Sequence, residues 1–415
     1  MSQTTRRLKN YFHLLLVIVA NIYYGFPSRK IKVIGVTGTD GKTTTTHLIY
    51  HILKTAGKQA SFISSVRAHV GGKTNDTGFH VTTPSPFAIQ KYLRQAVDHT
   101  DAFFVLETTS HALDQYRVWG IRYEVSVITN ITHEHLDYHG TYDEYIKTKL
   151  KLFSYSKILV VNKDDISYKR ITSLLDGKQY ITYGLRDKAD VGWNDKIRHN
   201  LAGEYNRYNI LAAYAVAKTL HINEMSILSA CETFELPHGR QDVVYKKDFT
   251  VIIDFAHTPY ALQQFLRTIR KEFMRNDTGR LIHIFGSAGL RDATKRPKMG
   301  EVSGEYADGV ILTEEDYRTE DVKKICQAIS MGLLQKGFQK VTPDEFAQNA
   351  RKKIFTEVYD RQEAINMSVG SAQKGDFIVM TGKGHEKSLC RGKTEYPWDE
   401  HGAVEKALQS YKQKV

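Results

Sequence analysis

The residues best equipped for chemistry are Lys42 and Thr43, which close a Gly- and Thr-rich stretch, Val33–Thr46, reading VIGVTGTDGKTTTT. Gly38 and Gly41 let a backbone approach an anion with no Cβ between them. A helix beginning just after them aims its free N–H groups at the same place. Thr39, Asp40 and Thr44 complete the loop. Lys42 has the reach to hold outer phosphates, and the Thr43 hydroxyl suits Mg²⁺. The full GxxxxGK[ST] pattern is not met, because Val36 stands where the first Gly belongs; GxxGKT remains. A Thr-rich turn with an incidental lysine is the bland alternative, but the turn follows an apolar run and precedes helical spacing, as a phosphate loop requires.

Four further constellations carry chemistry. Val105–His111 (VLETTSH) places a carboxylate, Glu107, at the end of an apolar run, where it could share a Mg²⁺ with phosphates or stand as a solvated strand end. Thr129–Gly140 (TNITHEHLDYHG) gathers three histidines. They could be a zinc site, yet the other metal signal, at Thr43 and Glu107, consists of oxygen donors that favour Mg²⁺. Gly203–Asn209 (GEYNRYN) opens a helix over Ile210–Leu220, and its amides could read a base or cap the helix. Thr381–Glu386 (TGKGHE) is a second turn able to hold an anion.

These residues need strand ends to stand on. From Ile31 to Pro237 the apolar runs Val33–Val36, Phe103–Leu106, Val125–Thr129 and Ile158–Val161 alternate with helical stretches. After Leu236–Arg240 a second series follows: Val251–Phe255, Leu281–Phe285, Gly309–Thr313 and Phe377–Thr381. The fold class is therefore α/β, with mainly parallel sheets flanked by helices and ligands at the carboxyl ends of the strands. The division expected is 1–30, an apolar and basic helical segment; 31–238, a phosphate-loop domain; and 239–415, a Rossmann-like α/β domain.

Length 415 and a hydrophobic content of 41% allow large cores. A net charge of +12 suits anionic ligands. No nucleic-acid module is present, so a nucleotide and an acidic substrate account for the charge. Three scattered cysteines, without a CxxC pair, indicate a reducing compartment and no zinc ribbon. Arg6, Arg7 and Lys9 precede Tyr11–Phe26, an apolar run too short for a membrane span of ~20 residues and without a good cleavage site. It reads equally as a helix packed on its own domain or one lying on a membrane surface. The expected location is the cytoplasm, including the inner membrane face.

The motifs GTDGKTTTT, Thr82-Thr83-Pro84, LETTSHALDQYRV, TNITHEHLDYHG, GEYNRYN, Gly239-Arg240, DFAHTPYAL, GSAGLRDATKRP and GKGHE occur in the order seen in Mur ligases. The chain most resembles their UDP-N-acetylmuramoyl-tripeptide synthetase (MurE-type) branch, from about Val33 to the C-terminus. The resemblance implies ATP- and Mg²⁺-dependent amide formation through an acyl phosphate, joining an amino acid to a small-molecule acceptor, with no nucleic acid involved. It assigns Lys42 and Thr43 to phosphate and Mg²⁺, and Glu107 and His135 to metal. Lys149 matches a lysine that the family carbamylates into a metal partner. Asn209, Arg240 and Asp254 match nucleotide contacts, and Thr82, Thr83, Thr109 and Arg117 match contacts to the acceptor. Arg291, Arg318, Gly382 and Glu386 match the pocket for the incoming amino acid.

Several positions depart from the pattern. Thr109 stands for a Ser, Asp40 for an Asn and Glu134 for an Asp. The pocket motif Asp-Asn-Pro-Arg reads Glu315-Asp316-Tyr317-Arg318. The N-terminal domain that grips UDP in the family has no counterpart in the thirty residues before Ile31. That last departure favours a related ligase of the folylpolyglutamate or cyanophycin-synthetase kind, on a non-UDP substrate. A nucleotide-binding scaffold without chemistry is a third reading, against which Lys42, Glu107, His135 and Lys149 together argue.

Overall fold

The apolar run at Val33 forms strand β1 (Lys32–Thr37), buried at every residue after Lys32. This computed structural model describes residues 3–75, 82–132, 136–175, 177–186, 188–275, 279–348 and 353–413, without the side chains of 3–9, 136 and 137. The chain divides into two units, Met1–Pro237 and His238–Val415. Residues 1–30 thus belong with the first unit, and His238 opens the second.

Among the described residues the first unit holds β2 (Ala60–Ile63), β3 (Ala68–Val70), β4 (Lys73–Asn75), β5 (Phe103–Glu107), β6 (Tyr123–Ile128), β7 (Ser156–Asn162), β8 (Tyr180–Gly184) and β9 (Val191–Gly192). Their order is β4-β3-β2-β5-β1-β6-β7-β8-β9. β1 runs parallel to β5 on one side and to β6 on the other. β3 and β4 turn back antiparallel at one edge. Parallel neighbours need crossovers, which helices supply: Lys42–Thr55 follows β1, Ser110–Asp114 follows β5, and Tyr142–Ser154 precedes β7. Side chains of β1 alternate between two cores. Ile34 and Val36 pack with Leu48, Ile52 and Leu211, whereas Val33 packs with Ile89 and Leu93. Because β5 and β6 flank β1 on opposite sides, the crevice beyond its carboxyl end is the place such a sheet leaves for a ligand.

The second unit is built on β10 (Asp242–Lys246), β11 (Thr250–Ile253), β12 (Leu281–Phe285), β13 (Gly309–Leu312), β14 (Gln339–Lys340), β15 (Ile354–Glu357) and β16 (Phe377–Met380). The order is β10-β11-β16-β12-β13-β15-β14, with β17 (Ser388–Arg391) and β18 (Thr394–Pro397) as a separate hairpin. Only β10 runs antiparallel among the described strands of the larger sheet. Ile252, Phe285 and Val379 enter the core on one face, and Val251, Ile253, Ile282 and Ile284 the core on the other.

The first helix, Gln3–Tyr23, has two unlike sides. Val17, Ala20 and Asn21 are buried, and Asn21 Nδ2 donates to the Trp119 carbonyl at 3.1 Å. Tyr11, Phe12, Leu15, Val19, Ile22 and Tyr23 are exposed. An apolar pattern nearly all round therefore reflects one docked face and one uncovered face, rather than full burial. No helix among the described residues is long and apolar enough to cross a membrane.

Candidate active site

In the first unit the phosphate loop lies where β1 ends, and its glycines are required by close approach. A Cβ on Gly38 would fall 1.8 Å from Thr129 Oγ1, and one on Gly41, at φ +79°, 2.3 Å from Asn209 Oδ1. The loop is pinned from β6. Thr39 N donates to the Asn130 carbonyl at 2.9 Å, Asp40 N to Asn130 Oδ1 at 2.9 Å, and Thr129 Oγ1 to the Asp40 carbonyl at 2.6 Å. Thr43 and Thr44 are buried in the first turns of Lys42–Thr55, whose N-cap Gly41 contributes no side-chain cap. A helix start of this kind suits an anion. Lys42 Nζ donates to the Thr39 carbonyl at 2.7 Å, folded over its own loop.

Beside the loop stands Glu107, at the end of β5 and 1% exposed. Its Oε1 accepts from Thr43 Oγ1 at 3.2 Å and Ser65 Oγ at 2.9 Å, and its Oε2 from Ser65 N at 2.9 Å. All of these donors are neutral. An ionised carboxylate held in this way lacks the compensation that a buried charge needs, and with the Thr43 and Ser65 hydroxyls it forms an oxygen set suited to Mg²⁺. Ser65 escaped the sequence reading; its only signal was a Ser-Ser pair directly after an apolar run.

The acceptor candidates cluster next to this carboxylate. Thr82 Oγ1 accepts from Ser65 Oγ at 3.3 Å. Thr83 Oγ1 donates to the Glu107 carbonyl at 3.1 Å and accepts from Thr109 N at 3.0 Å. Thr109 caps the helix Ser110–Asp114 through Ala112 N, so the hydroxyl retained at this position has a structural task as well. Arg117 Nη1 donates to the Thr83 carbonyl at 2.9 Å. Lys149, 1% exposed, donates to the Gly38 carbonyl at 2.6 Å, and its Nζ lies 4.5 Å from the centre of the Tyr145 ring. His133 and His135 lie outside the described residues. His139 hydrogen-bonds Ser110 Oγ at 3.0 Å.

Asn209 sits within the helix Glu204–Thr219, whose N-cap is Gly203. The amides therefore do not cap the helix: Asn209 Oδ1 accepts from Thr45 Oγ1 at 3.4 Å, and its Nδ2 donates to Asn206 at 3.1 Å.

In the second unit Asp254 ends β11 and accepts from Gln241 N at 2.8 Å and Ala256 N at 2.7 Å. Burial pushes its carboxyl up, against the Arg240 guanidinium and the backbone donors. Arg240 stacks over Phe255 at 4.5 Å and donates to His385 Nδ1 at 3.1 Å. Gly239 passes so close to the TGKGHE turn that a Cβ would meet His385 N at 2.5 Å. Lys383 is fully buried, and donates to Asp316 Oδ1 at 2.9 Å and Glu386 Oε2 at 2.5 Å. Gly382, at φ +100°, leaves room for Glu315, whose Oε2 would lie 2.7 Å from an added Cβ. Burial raises the Glu315 carboxyl, helped by Asp316 and opposed by Lys383 and Lys295. Arg318 adopts a left-handed φ of 53° and donates to the Gly289 carbonyl at 2.7 Å. Such strain in a side-chain-bearing residue persists only where its surroundings enforce it. Gly289 N in turn donates to the Asp316 carbonyl at 2.8 Å, which stitches together the loops after β12 and β13. Arg291 is on the first of these loops and exposed.

Residues 36–217 match the Mur ligase middle domain, and residues 239–384 match the Mur ligase glutamate ligase domain. The UDP-N-acetylmuramoyl-L-alanyl-D-glutamate–2,6-diaminopimelate ligase of Aquifex aeolicus is 36% identical over 408 residues, which cover 94% of this chain and 80% of the relative. A solved structure of a ligase with the same name is 26% identical, with a TM-score of 0.58, over 93% of this chain and 79% of that one. The folylpolyglutamate synthase of Mycobacterium tuberculosis with ADP is 16% identical, with a TM-score of 0.66, over 88% of this chain and 91% of that one, a likeness of fold.

Proposed function

The chain belongs to the Mur ligase family of ATP-dependent amide ligases, and we propose that it joins an amino acid to the carboxylate of a muramyl-peptide-type acceptor. The observation that carries this reading is Glu107, a buried carboxylate with neutral donors only, between the phosphate loop and the cluster of Thr82, Thr83, Thr109 and Arg117. ATP and Mg²⁺ are the cofactors this set fits. Mg²⁺ held by Thr43 and Glu107, with His135 and a carbamylated Lys149 as further partners, would offset the repulsion between two reacting anions.

Lys42 and the amides at the start of Lys42–Thr55 hold the phosphates. Arg117 and the three threonines hold the acceptor, whose carboxylate oxygen attacks the γ-phosphorus while the bond to the ADP oxygen breaks. The amino acid's nitrogen then attacks the acyl carbon, phosphate leaves, and the nitrogen gives up a proton. Asn209, Arg240 and Asp254 serve the nucleotide. Gly382, Glu386, Arg291 and Arg318 serve the amino acid. A guanidinium there suits a second carboxylate, so diaminopimelate is preferred over lysine. The deciding experiment is ADP release: it should need both an acceptor and an amino acid. Release without either, or with a folate-type acceptor alone, would overturn the reading. Lys149→Ala should lose activity and regain part of it with a short carboxylic acid; wild-type activity in that variant would remove the carbamate.

The uncovered side of Gln3–Tyr23 supports a second element of the proposal, that the enzyme works at an anionic lipid surface. Arg6, Arg7 and Lys9 lie in the same helix, and no acidic residue precedes Asp40. Directly after the helix, Arg29, Lys30 and Lys32 line a concavity with Arg122 and Lys157, where Glu124 is the one carboxylate in the lining. Apolar area inserted between basic residues is the pattern of an interfacial helix. Leu15→Glu with Ile22→Glu should abolish flotation with anionic vesicles and leave the thermal midpoint unchanged. If wild type itself fails to float, the surface belongs to something other than lipid.

A further inference from the structure

On either side of Arg240, and including none of the residues assigned to the ligase reaction, three side chains of the second unit converge on one point. His238 opens the unit, Asp242 begins β10, and His401 lies in the first turn of the last helix, Glu400–Lys412. Asp242 Oδ2 is 3.1 Å from His238 Nδ1 and 2.9 Å from His401 Nε2. The two imidazoles stack with centroids 3.7 Å apart and planes 23° from parallel. One ligand atom from each residue lies within 4.8 Å of the other two.

We propose that His238, Asp242 and His401 bind one divalent transition-metal ion, zinc in the first instance, which clips the first strand of this unit to its last helix. Zinc bound tetrahedrally at ~2.0–2.1 Å sets its ligand atoms about 3.3 Å apart. Two of the three separations here are already near that value; because an imidazole nitrogen binds in its own ring plane, the stack must open, and the exposed His238 is the ring free to swing. The donor set is two imidazole nitrogens and one carboxylate oxygen, which suits zinc and its neighbours and not Mg²⁺ or Ca²⁺. His401 Nδ1 is buried and without a hydrogen-bond partner, so its coordination is confined to Nε2, the atom facing Asp242. The His238 side chain is 57% exposed, which leaves an entry path and a fourth position for water. Asp399, the N-cap of the last helix, acts electrostatically on His238 and brings a second negative charge to the neighbourhood. The ion would bridge residues far apart in sequence, and would steady the Gly239–Arg240 segment between its first two ligands.

The test is zinc titration of the full chain after EDTA treatment and dialysis, in excess Mg²⁺ to fill the oxygen site, followed by calorimetry and thermal unfolding. Wild type should bind one equivalent and unfold at a higher temperature with zinc. Co²⁺ in its place should show the intense visible absorption of a four-coordinate ion. His238→Gln and His401→Gln should each weaken binding about 100-fold and lose the thermal shift. Lys42→Ala should keep both, which separates this site from the phosphate loop and its reading. If His401→Gln does not fold, the exposed His238 carries the comparison. Equal zinc binding by wild type and His238→Gln, or a six-coordinate Co²⁺ spectrum, would show that the three side chains are a hydrogen-bonded cluster and nothing more.

Discussion

Glu107 in the first unit and Glu400 in the second are each 1% exposed, yet their surroundings are opposite. Glu400 accepts from the Arg361 guanidinium, from Nε at 2.9 Å and Nη2 at 2.5 Å, and from Trp398 Nε1 at 2.7 Å. Lys383 is likewise flanked by Asp316 and Glu386. Glu107 has hydroxyls and an amide alone. At these sites the second unit pairs its buried charges internally and ties its loops together. Glu107 has no charged group among its hydrogen-bond donors, the setting in which a bound cation would be stabilising. Buried charge thus separates the two settings: Glu400 is paired within the fold, whereas Glu107 is held by neutral donors alone.

Breaking the internal pair should have the largest effect. Arg361→Met leaves Glu400 buried without its partner and should cost about 3–5 kcal/mol in urea unfolding. Glu107→Gln removes a charge that has no such partner, so its stability should equal or exceed that of wild type. Similar losses in both variants would erase the contrast. Next, Lys42→Ala should lower kcat about 10²–10³-fold in the ADP-release assay, with the fold intact by circular dichroism. Glu107→Gln should then raise the Mg²⁺ concentration for half-maximal activity about 10–100-fold; an unchanged Mg²⁺ dependence would return Glu107 to a structural role.

A further expected effect concerns pH. His283 is fully buried between Ser303 Oγ at 2.8 Å and Thr381 Oγ1 at 2.9 Å, and burial lowers its pKa to about 3, with Arg361 acting in the same direction. Unfolding releases it to its ordinary value of 6.5, so the unfolded chain binds the extra proton between those limits. Stability from this group is fully present above pH 6.5 and falls by about 1.4 kcal/mol per unit as the pH drops towards 3. His283→Gln should flatten that part of the profile. An unchanged slope would place the acid sensitivity elsewhere.

The strands around the site were legible because an apolar run bounded by Gly and Thr has few alternatives as a buried parallel strand. β9 and β14, two residues each, carry no such pattern and exist only through their neighbours. The Gly-rich loop after β1 and Glu107 at the end of β5 could be placed from residue type and order, whereas Thr82, Thr83 and Thr109 were expected only through the family resemblance. Ser65 could not, because one hydroxyl among many acquires meaning only when β2 brings it 2.9 Å from Glu107. The two-sided first helix was equally hidden: from Tyr11 onward it is mostly apolar, and only docking decides which face is covered. His238 and His401 lie at opposite ends of a unit, and nothing in their local sequence pairs them. Sequence determined the chemistry that local pattern can encode; tertiary structure decided the contacts between distant residues, because strand order and helix packing set those distances.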